Sequence, residues 1–205
     1  MRAYKFRSSA QIDCALDIVF NQRLYCADWS LLNDAVEGTF IYAFQSSAKN
    51  DYQKKVQEIV NETKKLRVCS LSTTFDSHLL WAHYASGFDG LAIEIELPDS
   101  SAIKTVKYGG VFGVIEMTER LDPKDAAEIV LSSKYSDWSY EKEVRVLSRE
   151  EWFAFSNPVR RVIVGHRMKD SLFKALRIVC KEQNITLNRT GIGDEGIDAD
   201  HIGYA

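Results

Sequence analysis

GLAIEIEL, Gly90 to Leu97, alternates between apolar and charged residues. Side chains of an extended chain point to opposite faces in turn, so this is the pattern of a strand with one face in a core and the other half-exposed. Working outward, LRVCSLSTT (66–74) reads as a strand ending in small hydroxyl residues, and SHLLWAHYAS (77–86) as a helix of two or three turns. On the other side, IKTVKYGG, EKEVRVLS, VRRVIVGH and ITLNRTGIG read as strands, with helices over PKDAAEIVLSSKY and KDSLFKALRIVCKEQ. The chain before residue 66 reads as a strand over 2–7, a helix over 9–22 with Ser9 as a candidate cap, and a strand RLYCAD. A loop WSLLNDAVEG and a charged amphipathic helix over 49–65 with a solvated face follow. Strands and helices do not alternate regularly, which argues against a doubly wound parallel sheet. The expectation is an α+β fold in one domain over 1–205, with a bent or split, mostly antiparallel sheet flanked by helices.

Composition narrows the function classes. The 205 residues carry 26 basic and 29 acidic side chains, a net charge of −3, which is not the balance of a general polyanion binder. Hydrophobic residues make up 45% and charged residues 27%, the texture of a globular chain. No apolar run reaches membrane-spanning length. Cys14, Cys26, Cys69 and Cys180 lie far apart with no CxxC pair, so they read as reduced thiols of a cytoplasmic protein rather than zinc ligands.

The segment WSYEKEVRV, Trp138 to Val146, poses the chemical question. If it is extended throughout, Glu141, Glu143 and Arg145 share one face and Val144 and Val146 the other. Two readings compete: a solvated sheet face with Arg145 offsetting the glutamates, or a cleft in which Tyr135, Trp138 and Tyr140 wall in the carboxylates. A second cluster, CSLSTTFDSHLLWAHYASGFDG, holds Ser70 and Ser72 on one strand face. Trp81, His83 and Tyr84 follow, while Thr74, Asp76 and Ser77 are candidate caps. A third, YKFRS, places Arg7 on the first strand, where its planar fork suits a phosphate, a carboxylate or an ordinary salt bridge. His78 and His83 stand five apart and no HExxH occurs, so no metal is expected.

YKFRS, LYCADWSLLND, LLWAHYASGFDGLAIEI and WSYEKEVRV together resemble a bacterial family catalogued as domain of unknown function 2971, across roughly Tyr4 to Gly165. A weaker resemblance is to ADP-ribosyltransferases of the arginine–serine–glutamate type. Arg7, the run Ser70-Leu71-Ser72-Thr73-Thr74, and Glu141-Lys142-Glu143 stand in that order. The serine element departs from Ser-Thr-Ser, and the Trp81–Tyr84 helix is no part of that triad. This second resemblance implies an ADP-ribosyltransferase-like fold and NAD bound as substrate in the cleft of a split sheet. The activity implied is mono-ADP-ribosyl transfer or NAD hydrolysis, in a toxin or defence effector. It implies Glu143 at the nicotinamide ribose, Glu141 at the acceptor, Arg7 at the phosphates, and Ser70 and Ser72 beside the nicotinamide. Trp81, Tyr84 or Tyr140 would stack on the ring and His83 would bond a ribose hydroxyl. The acceptor is a protein, a nucleic acid, a small molecule or water. The rival expectations are a hydrolase or nuclease using Glu141, Glu143 and His83, a nucleotide- or nucleic-acid-binding sensor without catalysis, and an interaction domain.

Overall fold

The computed structural model describes residues 1–44, 49–118, 120–194 and 196–198. The chain opens with β1 (Arg2–Ser8) and, after a 3-10 turn, α1 (Ile12–Asn21). Ser9 does not cap that helix: its hydroxyl donates to Asp89 at 2.7 Å, and Gln11 takes the cap position. The segment RLYCAD is two short strands, β2 (Arg23–Tyr25) and β3 (Ala27–Asp28). Then come β4 (Phe40–Phe44), α2 (Lys49–Thr63), β5 (Arg67–Ser72), α3 (His78–Tyr84) and β6 (Gly90–Glu96). The segment IKTVKYGG also divides, into β7 (Ile103–Thr105) and β8 (Lys107–Gly109), before β9 (Gly113–Met117), α4 (Pro123–Val130) and β10 (Ser133–Tyr135). A 3-10 helix over Ser136–Glu141 leads into β11 (Glu143–Ser148). The remainder is β12 (Trp152–Ala154), β13 (Arg161–Val164), α5 (Asp170–Glu182), β14 (Thr186–Arg189), β15 (Gly191–Gly193) and β16 (Gly196–Asp198).

The architecture is mixed α+β, built on an open, mostly antiparallel sheet flanked by helices. Its strand order is β14-β13-β6-β1-β5-β11-β7, with β3 also paired to β5. Only β13 and β14 run parallel within it. On one face, Ala15, Ile18 and Val19 of α1 and Leu176 and Cys180 of α5 pack on Leu91, Ile93 and Ile95 of β6 and on Val144 and Val146 of β11. On the other face, Leu80 and Trp81 of α3, with Ala85 just after it, cover Tyr4, Phe6 and Ala92. Thus β6 is not the half-exposed strand its alternation predicts. Ala92 is buried under α3, and Glu94 accepts a hydrogen bond from the Tyr4 hydroxyl at 3.0 Å. The helix α2 is amphipathic as expected: its charged face is solvated, while Tyr52 and Ile59 join Ile115, Met117 and Val130 in a separate cluster. Among the described residues no helix is long and apolar enough to cross a membrane.

One feature of the sheet positions the site. Strand β1 pairs with β6 along its whole length, from Arg2 opposite Glu96 to Ser8 opposite Gly90. Gly90 is required there, since a Cβ would collide with the Arg7 carbonyl. With β5, by contrast, β1 pairs only at Tyr4 opposite Ser72. Beyond that pair the two strands part. The β1-facing edge of β5 is taken up again only by β3, at Val68 and Arg67. Between these two points a side chain bridges the gap: the Ser70 carbonyl accepts a hydrogen bond from Lys5 Nζ at 2.6 Å.

Candidate functional site

A cavity of about 470 Å³ opens where β1 and β5 separate. Lys5, Phe6 and Arg7 line one wall, Val68, Ser70, Leu71 and Ser72 the other, and Tyr84, Lys134, Glu141 and Glu143 the closed end. Six of the expected residues, Arg7, Ser70, Ser72, Tyr84, Glu141 and Glu143, therefore meet at one concavity although 136 positions separate the first from the last. Its volume lies in the range usual for small-molecule sites.

The local geometry of the glutamate pair differs from the expectation. The segment from Glu141 to Arg145 is not extended throughout. Ser136-Asp137-Trp138-Ser139 favours a turn, because its short polar side chains compete for backbone groups. The resulting 3-10 helix ends at Glu141, and Lys142 takes a left-handed conformation at φ 44°. Only Glu143 and Arg145 share a strand face. Glu141 arrives from the turn, and the two carboxylates meet at Lys134 of β10. Lys134 Nζ donates to Glu141 Oε2 at 2.5 Å and to Glu143 Oε2 at 3.1 Å. The solvated-face reading fails: Glu141, Glu143 and Arg145 are 4%, 2% and 1% exposed.

These groups form a continuous buried chain of charge. Arg145 donates from Nε to Glu143 Oε1 (2.8 Å) and from Nη2 to Glu143 Oε2 (3.0 Å). On its other side Nη1 and Nη2 reach Glu37 Oε1 and Oε2 at 2.5 and 3.1 Å, and Nη1 also donates to the Leu131 carbonyl. The Tyr84 hydroxyl donates to Glu141 Oε1 at 2.5 Å and accepts from Asn33 Nδ2 at 2.8 Å. Three carboxylates and two cations leave one negative charge in excess if all are ionised.

The environment separates the two glutamates. Burial alone would raise the Glu143 carboxyl, but the charge and hydrogen bonds of Arg145, with help from Lys134, hold it down at about 2. Burial raises Glu141, the Glu143 charge adds to the effect, and Lys134 and Tyr84 offset it only in part. A pair of carboxyls pushed apart in this way supplies a fixed anion and a proton-exchanging partner. The Tyr84 hydroxyl is raised by burial and by Glu141, so it stays a donor.

The serines act differently from one another. Ser72 is buried, and its hydroxyl donates to the Glu141 carbonyl at 2.6 Å while accepting from the Thr74 N–H. It anchors the turn that carries Glu141. Ser70 lines the cavity with Glu143 and adds to the lowering of its carboxyl pKa. Across the cavity, Arg7 Nε is shielded from solvent and has no hydrogen-bond partner among the described residues. The Lys5 ammonium has its pKa lowered by burial, with the Arg7 charge contributing.

Three expected site residues do not line the cavity. Trp81 is a core residue: it stacks on Phe88, with centroids 5.3 Å apart and planes at 4°, meets Phe6 edge-on, and donates its indole N–H to the Phe75 carbonyl. The helix turns it inward, so it cannot stack on a ligand. His83 is exposed, 6.3 Å from the Tyr84 ring and 6.2 Å from that of Tyr140. Tyr140 packs toward Trp138 outside the cavity wall. Of the candidate caps, Ser77 holds the cap position of α3 without a side-chain bond, and Asp76 accepts the Ile197 N–H. Sequence reasoning missed Lys5, Lys134 and Glu37. Lys5 stands inside the YKFRS stretch and was visible there, whereas nothing local marks Lys134 or Glu37.

No family model matches the chain, and comparison with curated proteins and with solved structures finds no similar protein.

Proposed function

We propose that the cavity binds NAD and cleaves the bond between its nicotinamide and ribose, passing ADP-ribose to water or to an acceptor. The observation that carries this reading is the convergence of Arg7, Ser70, Ser72, Tyr84, Glu141 and Glu143 on one cavity at the separation of β1 and β5. A cleft in a mostly antiparallel sheet is the setting that the ADP-ribosyltransferase-like resemblance implies, and the finer fold assignment is part of this proposal.

The chemistry follows from the charges. As the C1′–N bond breaks, its electron pair leaves with the nicotinamide and positive charge develops on the ribose, as in glycoside hydrolysis. Glu143, anionic throughout, faces that charge. The attacking group, a water or an acceptor hydroxyl, bonds C1′ and gives its proton to Glu141 in its ionised form, which Tyr84 and Lys134 hold in place. Arg7, with an unpartnered Nε, takes the phosphates.

A second reading has its own support. Both Glu143 oxygens are already engaged by Arg145 and Lys134, which compensates much of its charge. That favours a nucleotide-binding domain without turnover. The hydrolase reading that relies on His83 loses support, because His83 does not line the cavity.

Nicotinamide release from NAD, measured for the wild type and for Glu141→Gln, separates the two. Transfer with Glu141 as base predicts release by the wild type and a fall in transfer to acceptor in the variant, on the order of 100-fold. Thermal stabilisation by NAD with no release would establish the binding-only reading, since a ligand of the native state raises Tm by mass action.

A further inference from the structure

The two ends of the cavity differ in chemistry. Glu141, Glu143, Lys134 and Ser72 close the inner end, while Tyr25, Ala27 and Leu31 stand at the outer end near Val68. Val68 is four residues from Ser72 along β5, about 13 Å by strand rise. Lys5 and Arg7 lie between these ends on the opposite wall. The outer end presents apolar surface to water: Leu31 is 76% exposed and Tyr25 39%. Neither is loose in its setting. The Tyr25 ring meets Trp152 edge-on at 5.3 Å, and the Arg23 guanidinium lies 3.8 Å over the Trp152 ring. The segment carrying Leu31 starts at Asp28, paired with Arg67, and is tied by Asn33 to the Tyr84 hydroxyl, so it is held on both sides of Leu31 and lines the cavity.

A braced aromatic ring and an exposed leucine beside a pair of cations match a ligand that is flat and apolar at one end and anionic next to it. We propose that the outer end is a nucleobase subsite. The base stacks on Tyr25 under Leu31, and the adjoining phosphates sit at Lys5 and Arg7. The cavity then selects a nucleoside diphosphate unit rather than a sugar phosphate alone. This rests on the nucleotide reading above and extends it to the half of the ligand remote from the reacting bond. Stacking uses the π-face that every base shares, so the subsite recognises a base without distinguishing purines strongly.

The test compares ADP with inorganic pyrophosphate by calorimetry, which is independent of any nicotinamide chemistry. Wild-type protein is expected to bind ADP more tightly than pyrophosphate. Tyr25→Ala should weaken ADP by about tenfold while leaving pyrophosphate within about twofold, the scale of one stacked base. Tyr25→Phe keeps the ring and should keep the affinity, which guards against a mere loss of local structure. Equal weakening of both ligands, ADP no tighter than pyrophosphate, or no binding of either overturns the subsite. Absence of nicotinamide release with the Tyr25 discrimination intact would instead remove the transferase reading and leave the subsite standing.

Discussion

Two sets of charges lie in or directly behind the wall of the same cavity, and they are treated in opposite ways. At the inner end Glu37, Arg145, Glu143, Lys134 and Glu141 are joined in one buried chain, each holding an oppositely charged neighbour. On β1 Lys5 and Arg7 stand side by side; Lys5 donates to the Ser70 carbonyl, and Arg7 Nε bonds nothing among the described residues. Buried charge is costly unless paired, so the first set is part of what holds β10, β11 and the 29–39 loop together. The second set has no carboxylate bonded to it among the described residues. The contrast separates charges compensated within the fold from charges that are not.

The largest effect should come from breaking the compensated set. Arg145→Met strands Glu37 and leaves Glu143 to Lys134 alone, and the expected loss is about 3–5 kcal/mol in urea unfolding. A loss under 1 kcal/mol would mean that the chain of charge contributes little to the fold. Next is acid. The Glu143 carboxyl titrates at about 2 in the folded protein against an ordinary 4.5, so the unfolded chain takes up its proton first as pH falls. Its stabilising contribution is complete above the unfolded value and is lost as pH drops from about 4.5 towards 2. Glu141 acts with the opposite sign: its raised carboxyl favours the folded state when protonated, and that support fades as pH rises. Urea midpoints across this range should fall with acid in the wild type and flatten in Glu143→Gln. The smallest change in stability belongs to β1. Arg7→Gln should alter unfolding by under about 1 kcal/mol, since no paired charge is broken at Nε, yet weaken ADP or NAD about tenfold or more. A variant that loses stability and retains affinity would reverse the comparison.

How legible this was depends on distance along the chain. Strand period predicted β1, β5, β6, β11, β13 and β14, because the Val144 and Val146 alternation and the Ile93 and Ile95 alternation are local. Helical spacing likewise predicted α1, α3 and α5. The apparent same-face relation of Glu141 and Glu143 misled, because it assumed an extended Lys142 that is in fact left-handed. The Trp81–Tyr84 cluster misled in part: Tyr84 reaches Glu141, whereas Trp81 is turned into the core between Phe6 and Phe88.

By itself the sequence determined the α+β class, a largely antiparallel sheet, and the short list that holds Arg7, Ser70, Ser72, Tyr84, Glu141 and Glu143. These follow from residue type and period, which act over a few positions. Only the tertiary structure decided that β1 and β5 part after one residue pair, and that the glutamates are buried against Lys134, Arg145 and Glu37 rather than solvated. Charge compensation depends on separation in space, and Glu37 lies 108 residues from the arginine it holds.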